Sequence, residues 1–150
     1  RAPAKFDEDE LDRLNAQIVH RLPFAQVAER VPEGMDQAGW EAIRPNLTRV
    51  DEAGEWWAVV TGSVVPPTMD PEEREYLTQA VSVAEGISWD ENAWHALTAA
   101  LKEQTGRKGR ALFLPLRQSL TGRDAGPDMG ALLPLIGRDT ALERLRAAAG

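Results

Sequence analysis

The stretch Asp70-Pro-Glu-Glu73 is the clearest helix start in this chain of 150 residues. Aspartate suits the N-cap and proline the first helical position, and the glutamates that follow meet the positive end of the helix dipole. Tyr76, Ala80 and Val83 then recur on one side at helical spacing. The stretch therefore predicts an α-helix with one apolar face.

Helical patterns continue on both sides of this stretch, and convincing strand patterns are almost absent. Towards the N-terminus, helices are predicted from a capping box of Asp7 and Glu10, near Phe24, over Met35 to Ile43 and over Leu47 to Val60. Towards the C-terminus, they are predicted from a Ser88–Glu91 capping box to Gly106, starting or kinked at Pro115, over Met129 to Ile136 and over Asp139 to Ala148. The predicted fold class is all-α.

The segment Gly62-Ser-Val-Val-Pro-Pro67 predicts a linker, because its prolines cannot continue a helix. It divides the chain into two small helical subdomains, 1–62 and 63–150. Since the linker is short and apolar, we expect the two subdomains to pack closely together.

Charge is distributed unevenly along the chain. Residues 101–150 contain 9 Lys or Arg and 5 Asp or Glu, although the whole chain carries a formal net charge of −7. Between Thr105 and Arg123 there are five basic residues and no acidic one. A basic patch on an acidic protein is typical of a surface that binds one polyanion. The alternatives are a solvated cationic face and a helical protein–protein interaction module whose 105–123 face binds an acidic partner.

The chain is rich in tryptophan, with Trp40, Trp56, Trp57, Trp89 and Trp94. Unpaired RNA bases often stack on aromatic rings. These tryptophans lie in the acidic part of the chain, where phosphate is repelled. We therefore favour core packing, with one member of each neighbouring pair half exposed.

Few residues are suited to catalysis or metal binding. The chain contains no cysteine, and His20 and His95 lack ligand or triad spacing. Gly106-Arg-Lys-Gly109 lacks the spacing of a P-loop. No apolar run approaches the roughly 20 residues that cross a bilayer. We therefore expect no catalytic residue, cofactor or metal in this chain, no membrane partner and a cytoplasmic location.

Three runs in the last third occur in an order known from one family. They are Gly106-Arg-Lys-Gly-Arg-Ala-Leu-Phe-Leu-Pro-Leu-Arg-Gln-Ser-Leu-Thr-Gly122, Gly126-Pro-Asp-Met129 and Ala131-Leu-Leu-Pro-Leu-Ile-Gly-Arg138. They closely resemble the C-terminal end of bacterial glutamyl-tRNA synthetases. Lys5 to Asn15 and His20-Arg-Leu-Pro-Phe24 resemble the region just after the catalytic core of the same family. The resemblance covers nearly the whole chain.

This resemblance implies that the chain recognises a tRNA anticodon as the C-terminal part of a glutamate–tRNA ligase. The arginine with which the family contacts the anticodon corresponds to Arg117, whose planar guanidinium suits a base edge or a phosphate. The family's following loop corresponds to Gly126, Pro127 and Met129. Gly126 would allow close backbone approach, and the other two would offer apolar contact to a base. The structural alternative is a plain turn followed by a core methionine.

The remaining basic residues of the segment are Arg107, Lys108 and Arg110. We expect them to position the RNA through its phosphates, which carry no sequence information.

The chain departs from the family at Arg44-Pro-Asn46. Some members carry arginine at the third position, associated with recognition of the last anticodon base. Asn46 is shorter and uncharged, although Arg44 or Arg49 could substitute for the missing contact. Partners are therefore expected to be tRNA(Glu) and, through relaxed choice, tRNA(Gln).

The resemblance also implies that the aminoacylation reaction takes place outside these 150 residues. The family's "HIGH"-like and "KMSKS"-like nucleotide-binding motifs are absent from these residues. The ATP-dependent aminoacylation of tRNA is thus expected from a catalytic domain upstream of Arg1 in a parent enzyme. The chain alone is expected to be inactive and to hold no cofactor.

Overall fold

A computed structural model describes the backbone of residues 4–150 and the side chains of residues 8–150. Over these residues the chain forms helices and no strand, which confirms the all-α prediction. The α-helices are α1 (Ala4–Val19), α2 (Phe24–Val27), α3 (Gln37–Ile43), α4 (Ala53–Thr61), α5 (Pro71–Gly86), α6 (Ala93–Thr105), α7 (Arg110–Thr121), α8 (Met129–Ile136) and α9 (Arg138–Ala149). Short 3-10 helices span Arg44–Asn46 and Val50–Glu52.

The chain divides into two compact units, Arg1–Ala58 and Val59–Gly150. Their boundary falls inside α4, before the predicted linker. Residues 62–70, which include the predicted linker 62–67, are not helical, in keeping with the prolines there.

The first unit buries apolar residues of α1 to α4, of the second 3-10 helix and of the segment between the two 3-10 helices, namely Val19, Val27, Trp40, Ile43, Leu47, Val50, Ala53 and Trp56. Trp40 is fully buried, and its indole Nε1 donates to the Leu22 carbonyl at 2.7 Å. Asp36 caps α3 by accepting from the Gly39 amide at 2.8 Å. Burial of these apolar side chains is the main source of stability for such short helices.

The second unit is built around the packing of α5 against α9, with α6, α7 and α8 completing the core. Its fully buried leucines are Leu77, Leu97, Leu101, Leu116, Leu120, Leu132, Leu133 and Leu145. Asp70 caps α5 by accepting from the Glu73 amide at 2.8 Å, as its sequence predicts.

Arg144 of α9 is a charged residue in this core, and only 7% of it is exposed. Its guanidinium donates to the carbonyls of Leu120 at 2.7 Å, Gly62 at 2.8 Å and Val60 at 3.4 Å. These carbonyls lie at the C-terminal ends of α7 and α4, where helices carry unpaired acceptors and partial negative charge. Burial lowers the pKa of Arg144, and Glu143 opposes that shift.

Several predicted helix starts are wrong, each for a local reason. Asp7 lies inside α1 rather than at its start, and its side chain lies outside the described residues. The helix predicted over Leu47 to Val60 begins only at Ala53, because the Glu52 carboxylate accepts from the backbone amides of Thr48 and Arg49.

The start predicted at Ser88 is also wrong. α6 begins at Ala93, after a turn in which Asp90 accepts from the Asn92 amide at 2.8 Å. Its predicted end is confirmed, since Gly106 adopts a left-handed φ of 74° that favours glycine.

The preference for core tryptophans is confirmed in the first unit, where Trp40 and Trp56 are buried and Trp57 is half-buried. In the second unit both Trp89 and Trp94 are half-buried.

Candidate nucleic-acid interface

The segment with the most specific sequence, residues 110–121, is a single helix with Pro115 buried in its interior. A helix start at Pro115, one of the two predicted outcomes, is therefore wrong. Proline has no N–H, so the carbonyl of Ala111 loses its intrahelical partner. The Arg107 Nη1 donates to that carbonyl at 3.0 Å, and the Tyr76 hydroxyl donates to the neighbouring carbonyl of Leu112 at 2.7 Å. Arg107 thus replaces the backbone hydrogen bond that Pro115 cannot make, and Tyr76 adds a second contact beside it.

Arg107 is itself held by two further contacts. Its Nη1 lies 3.1 Å from Glu73 Oε1, and its guanidinium stacks 4.0 Å above the ring of Tyr76. Only 16% of its side chain is exposed. These contacts hold the Arg107 guanidinium against the protein and leave little of the side chain for the phosphate contact predicted from the sequence. The missing N–H of Pro115 leaves the Ala111 carbonyl in need of a donor, and the fold brings Arg107 to Glu73 and Tyr76; neither effect is visible from counting charges.

Tyr76 is buried beneath this arginine. Burial raises its pKa from 10.0 to about 12; Arg107 lowers the pKa and Glu73 raises it further. The phenol therefore remains a neutral donor to Leu112 far above physiological pH.

Arg117 lies two residues after the proline, and the fold brings it to the predicted loop. Its Nη1 donates to the carbonyl of Pro127 at 3.0 Å. The side chain is half-buried, and this burial lowers the pKa of Arg117, while the carboxylate of Asp128 raises it. Arg117 thus holds the backbone of Pro127, and both residues were predicted to contact a base.

The loop between α7 and α8, whose Pro127 carbonyl binds Arg117, is held by further contacts of its own. Gly122 ends α7 with a φ of 74°, and Gln118 donates to Asp124 at 2.9 Å. Asp128 begins α8 by accepting from the Ala131 amide at 3.2 Å.

Within this loop, Gly126 is half-buried, and Pro127 and Met129 are buried. Met129 is 2% exposed, so its side chain packs in the core and is not available to a base. This burial favours the structural alternative for Met129. The loop offers its backbone and the Arg117 guanidinium instead.

Lys108 and Arg110 are both exposed beside this site. Neither forms an ion pair with any residue whose side chain the structure describes. They present positive charge to solvent, which suits the predicted phosphate contacts.

The second predicted site lies in the first unit. Asn46 is exposed at the end of a 3-10 helix. The half-buried Arg44 donates through Nη1 to the Leu22 carbonyl at 2.9 Å, and its buried Nε has no hydrogen-bond partner. Arg49 lies on the surface, with its Nε 3.6 Å from Asp51 Oδ1. Asn46 is thus accessible, while the Arg44 guanidinium is held by the protein.

Sequence reasoning missed Phe113, which is 44% exposed on α7. A signal for it was present, because Phe113 lies four residues before Arg117 and so shares its helix face. Among the side chains of residues 8–150, no cluster of three or more His, Cys, Asp or Glu could hold a metal ion. Over the described helices, none is long and apolar enough to span a membrane.

Residues 60–149 match the model of the anticodon binding domain family. The chain belongs to this family, and the matched residues include Arg117 and its loop. It is 68% identical over 99% of its length to glutamate–tRNA ligase 1 of Rhizorhabdus wittichii, and 62% identical over 98% to glutamate–tRNA ligase 1 of Novosphingobium aromaticivorans. It is 60% identical over 99% of its length to glutamate–tRNA ligase 2 of Erythrobacter litoralis.

The chain spans only 32–33% of the length of these relatives. The resemblance seen in the sequence is confirmed.

Proposed function

We propose that this chain recognises the anticodon of tRNA(Glu) as part of a glutamate–tRNA ligase. The observation that carries the proposal is the hydrogen bond from Arg117 to the Pro127 carbonyl within the matched residues. This bond uses one donor of a guanidinium that has five. The remaining donors of a fixed, planar group are suited to a base edge or a phosphate.

The site divides its work between recognition and positioning. Arg117 distinguishes bases, because hydrogen bonds to base edges carry sequence information. Gly126 and Pro127 supply the backbone wall of the site. Lys108 and Arg110 neutralise phosphates and strengthen binding of any RNA. An acidic protein partner, the alternative for the 105–123 face, would not require an arginine fixed against a loop backbone.

The choice between tRNA(Glu) and tRNA(Gln) is relaxed in this proposal. Asn46 carries a donor and an acceptor on one amide, so it can suit either cytosine or guanine at the last anticodon position. The Arg44 guanidinium is already bonded to Leu22, and this disfavours its use as a substitute. The parent enzyme would then charge both tRNAs.

Both compact units take part in this proposal as anticodon-binding subdomains. The ATP-dependent aminoacylation belongs to a catalytic domain upstream of Arg1 in a cytoplasmic parent enzyme. The chain alone binds RNA and transfers no amino acid.

A binding titration tests the proposal. The chain is titrated with the anticodon stem-loop of tRNA(Glu), with a stem-loop of the same length and unrelated loop, and with poly-glutamate. We expect saturable binding of the first RNA, weaker binding of the second and no binding of the polypeptide. Equal affinity for the two RNAs, or preference for poly-glutamate, would refute anticodon recognition.

A further inference from the structure

Phe113 is exposed on the face of α7 that carries Arg117. Residues at spacings of three and four share a helix face, so Arg110, Phe113 and Arg117 lie in one row. Phe113 is 44% exposed, whereas its neighbour Leu112 is buried. Among the Phe, Tyr and Trp side chains of residues 8–150, it is the only one in the exposed class. An aromatic ring kept at the surface between two arginines is not explained by core packing.

The ring of Phe113 is supported from within the second unit. Its centroid lies 6.3 Å from that of Trp94, with 34° between the two planes. This separation is within the range of favourable aromatic pairs. Trp94 also adjoins the start of α8, since a Cβ atom added at Gly130 would lie 4.0 Å from its Cδ1. The aromatic pair is therefore continuous with the loop that receives Arg117.

From this placement we infer that Phe113, supported by Trp94, is a stacking platform for one unpaired base of the bound RNA loop. The inference rests on the proposed function and adds a contact that was not among the site residues predicted from the sequence. Every base has a π-face that can stack on an aromatic ring, and neighbouring cations hold the phosphates on either side. Arg110, one turn before the ring, provides such a cation, and Arg117, one turn after it, is free to bind the edge of a neighbouring base.

Two substitutions separate stacking from simple packing. Phe113→Leu keeps an apolar side chain against Trp94 but removes the π-face, and Phe113→Tyr keeps both. We expect Phe113→Leu to weaken binding of the tRNA(Glu) anticodon stem-loop about tenfold, or about 1.4 kcal/mol, and Phe113→Tyr to stay within about twofold of the original chain. Leu11→Ala, which changes an apolar residue 57% exposed in the first unit, is the matched control and should leave binding unchanged.

An abasic nucleotide identifies the stacked base. Stem-loops are prepared that lack the base at each loop position in turn, and each is titrated against the original chain and Phe113→Leu. At one position the two proteins should bind alike, because the base that stacks on Phe113 is missing. Equal loss by Phe113→Leu on the intact loop and on every abasic loop would overturn the inference, as would no loss at all. If the original chain binds no stem-loop, the proposed function fails first, and the stacking inference falls with it.

Discussion

The Arg117 site of the second unit and the Arg44–Glu52 segment of the first unit hold their predicted RNA-contacting side chains in different ways. Arg117 is half-buried and donates a hydrogen bond to the Pro127 carbonyl. It lies on α7, where Arg107 and Tyr76 donate to backbone carbonyls next to Pro115. Asn46 lies exposed at the end of a 3-10 helix. A fixed group favours one partner, since its geometry is set before binding, whereas an amide that presents both a donor and an acceptor can suit several. The difference supports the proposal that the second unit recognises its base strictly and that the first unit accepts more than one base.

The largest effect is expected from removing the buried arginine of the second unit. Arg144→Leu leaves the carbonyls of Leu120 and Gly62 without their donor, which should lower the free energy of unfolding by about 3 kcal/mol. Urea denaturation, with hydrogen exchange of α7 and α9 amides as a regional readout, measures the loss.

Arg146→Ala is the matched control on the same helix. Arg146 pairs with Glu85 at 2.7 Å, but its side chain is 55% exposed. Solvent screens such a pair, so the control should cost about 0.5 kcal/mol or less. Equal costs for the two substitutions would mean that the buried carbonyl contacts do not hold the second unit together.

A smaller effect is expected from Tyr76→Phe, which removes the donor to Leu112. At neutral pH the loss should be about 1 kcal/mol, the usual net value of one hydrogen bond. The same substitution should weaken recognition by Arg117 only slightly, because Arg107 still bonds Ala111.

The pH dependence of stability tests the same residue independently. The pKa of Tyr76 is raised from 10.0 to about 12 in the folded chain, so unfolding favours loss of its proton. Its contribution is complete below pH 10 and is lost as the pH rises towards about 12. Tyr76→Phe should lack this alkaline loss. Because Tyr76 is the chain's single tyrosine, near-ultraviolet absorbance of tyrosinate reports its titration directly.

The smallest effect is expected in the first unit. Asn46→Arg should shift the ratio of affinities towards the stem-loop ending in C, as in tRNA(Glu), over the one ending in G, as in tRNA(Gln), by about 1 kcal/mol or less. Asn46→Gln, which keeps the amide, is the control and should leave the ratio near unity. A preference of the unaltered chain for the C-ending loop of about a hundredfold, or about 2.7 kcal/mol, would contradict relaxed choice.

The sequence predicts those features of the fold that depend on local signals. Asp70-Pro71 and the left-handed glycine at Gly106 mark helix ends because capping depends on residues close in the chain. The position of Arg117 was predicted by resemblance. Its bond to Pro127 was not, since it joins residues that only the folded chain brings together.

Arg107 and Met129 show that charge and composition are insufficient to predict which side chains are available to RNA. Arg107 belongs to a basic run, yet Glu73, Tyr76 and the Ala111 carbonyl occupy its guanidinium. Met129 belongs to the family's contact loop, yet its side chain is buried. The contacts of Arg107 with Glu73 and Tyr76 join residues that are distant in sequence, and the burial of Met129 depends on the folded core.

The central claim, that Arg117 distinguishes anticodon bases, is tested by titrating Arg117→Ala and Lys108→Ala against stem-loops with different anticodons at several salt concentrations. Arg117→Ala should weaken the tRNA(Glu) loop by about 1–3 kcal/mol and reduce the preference among anticodons. Lys108→Ala should weaken all loops alike and lower the salt slope by about one. If Arg117→Ala leaves both affinity and preference unchanged, Arg117 is structural and the account is wrong.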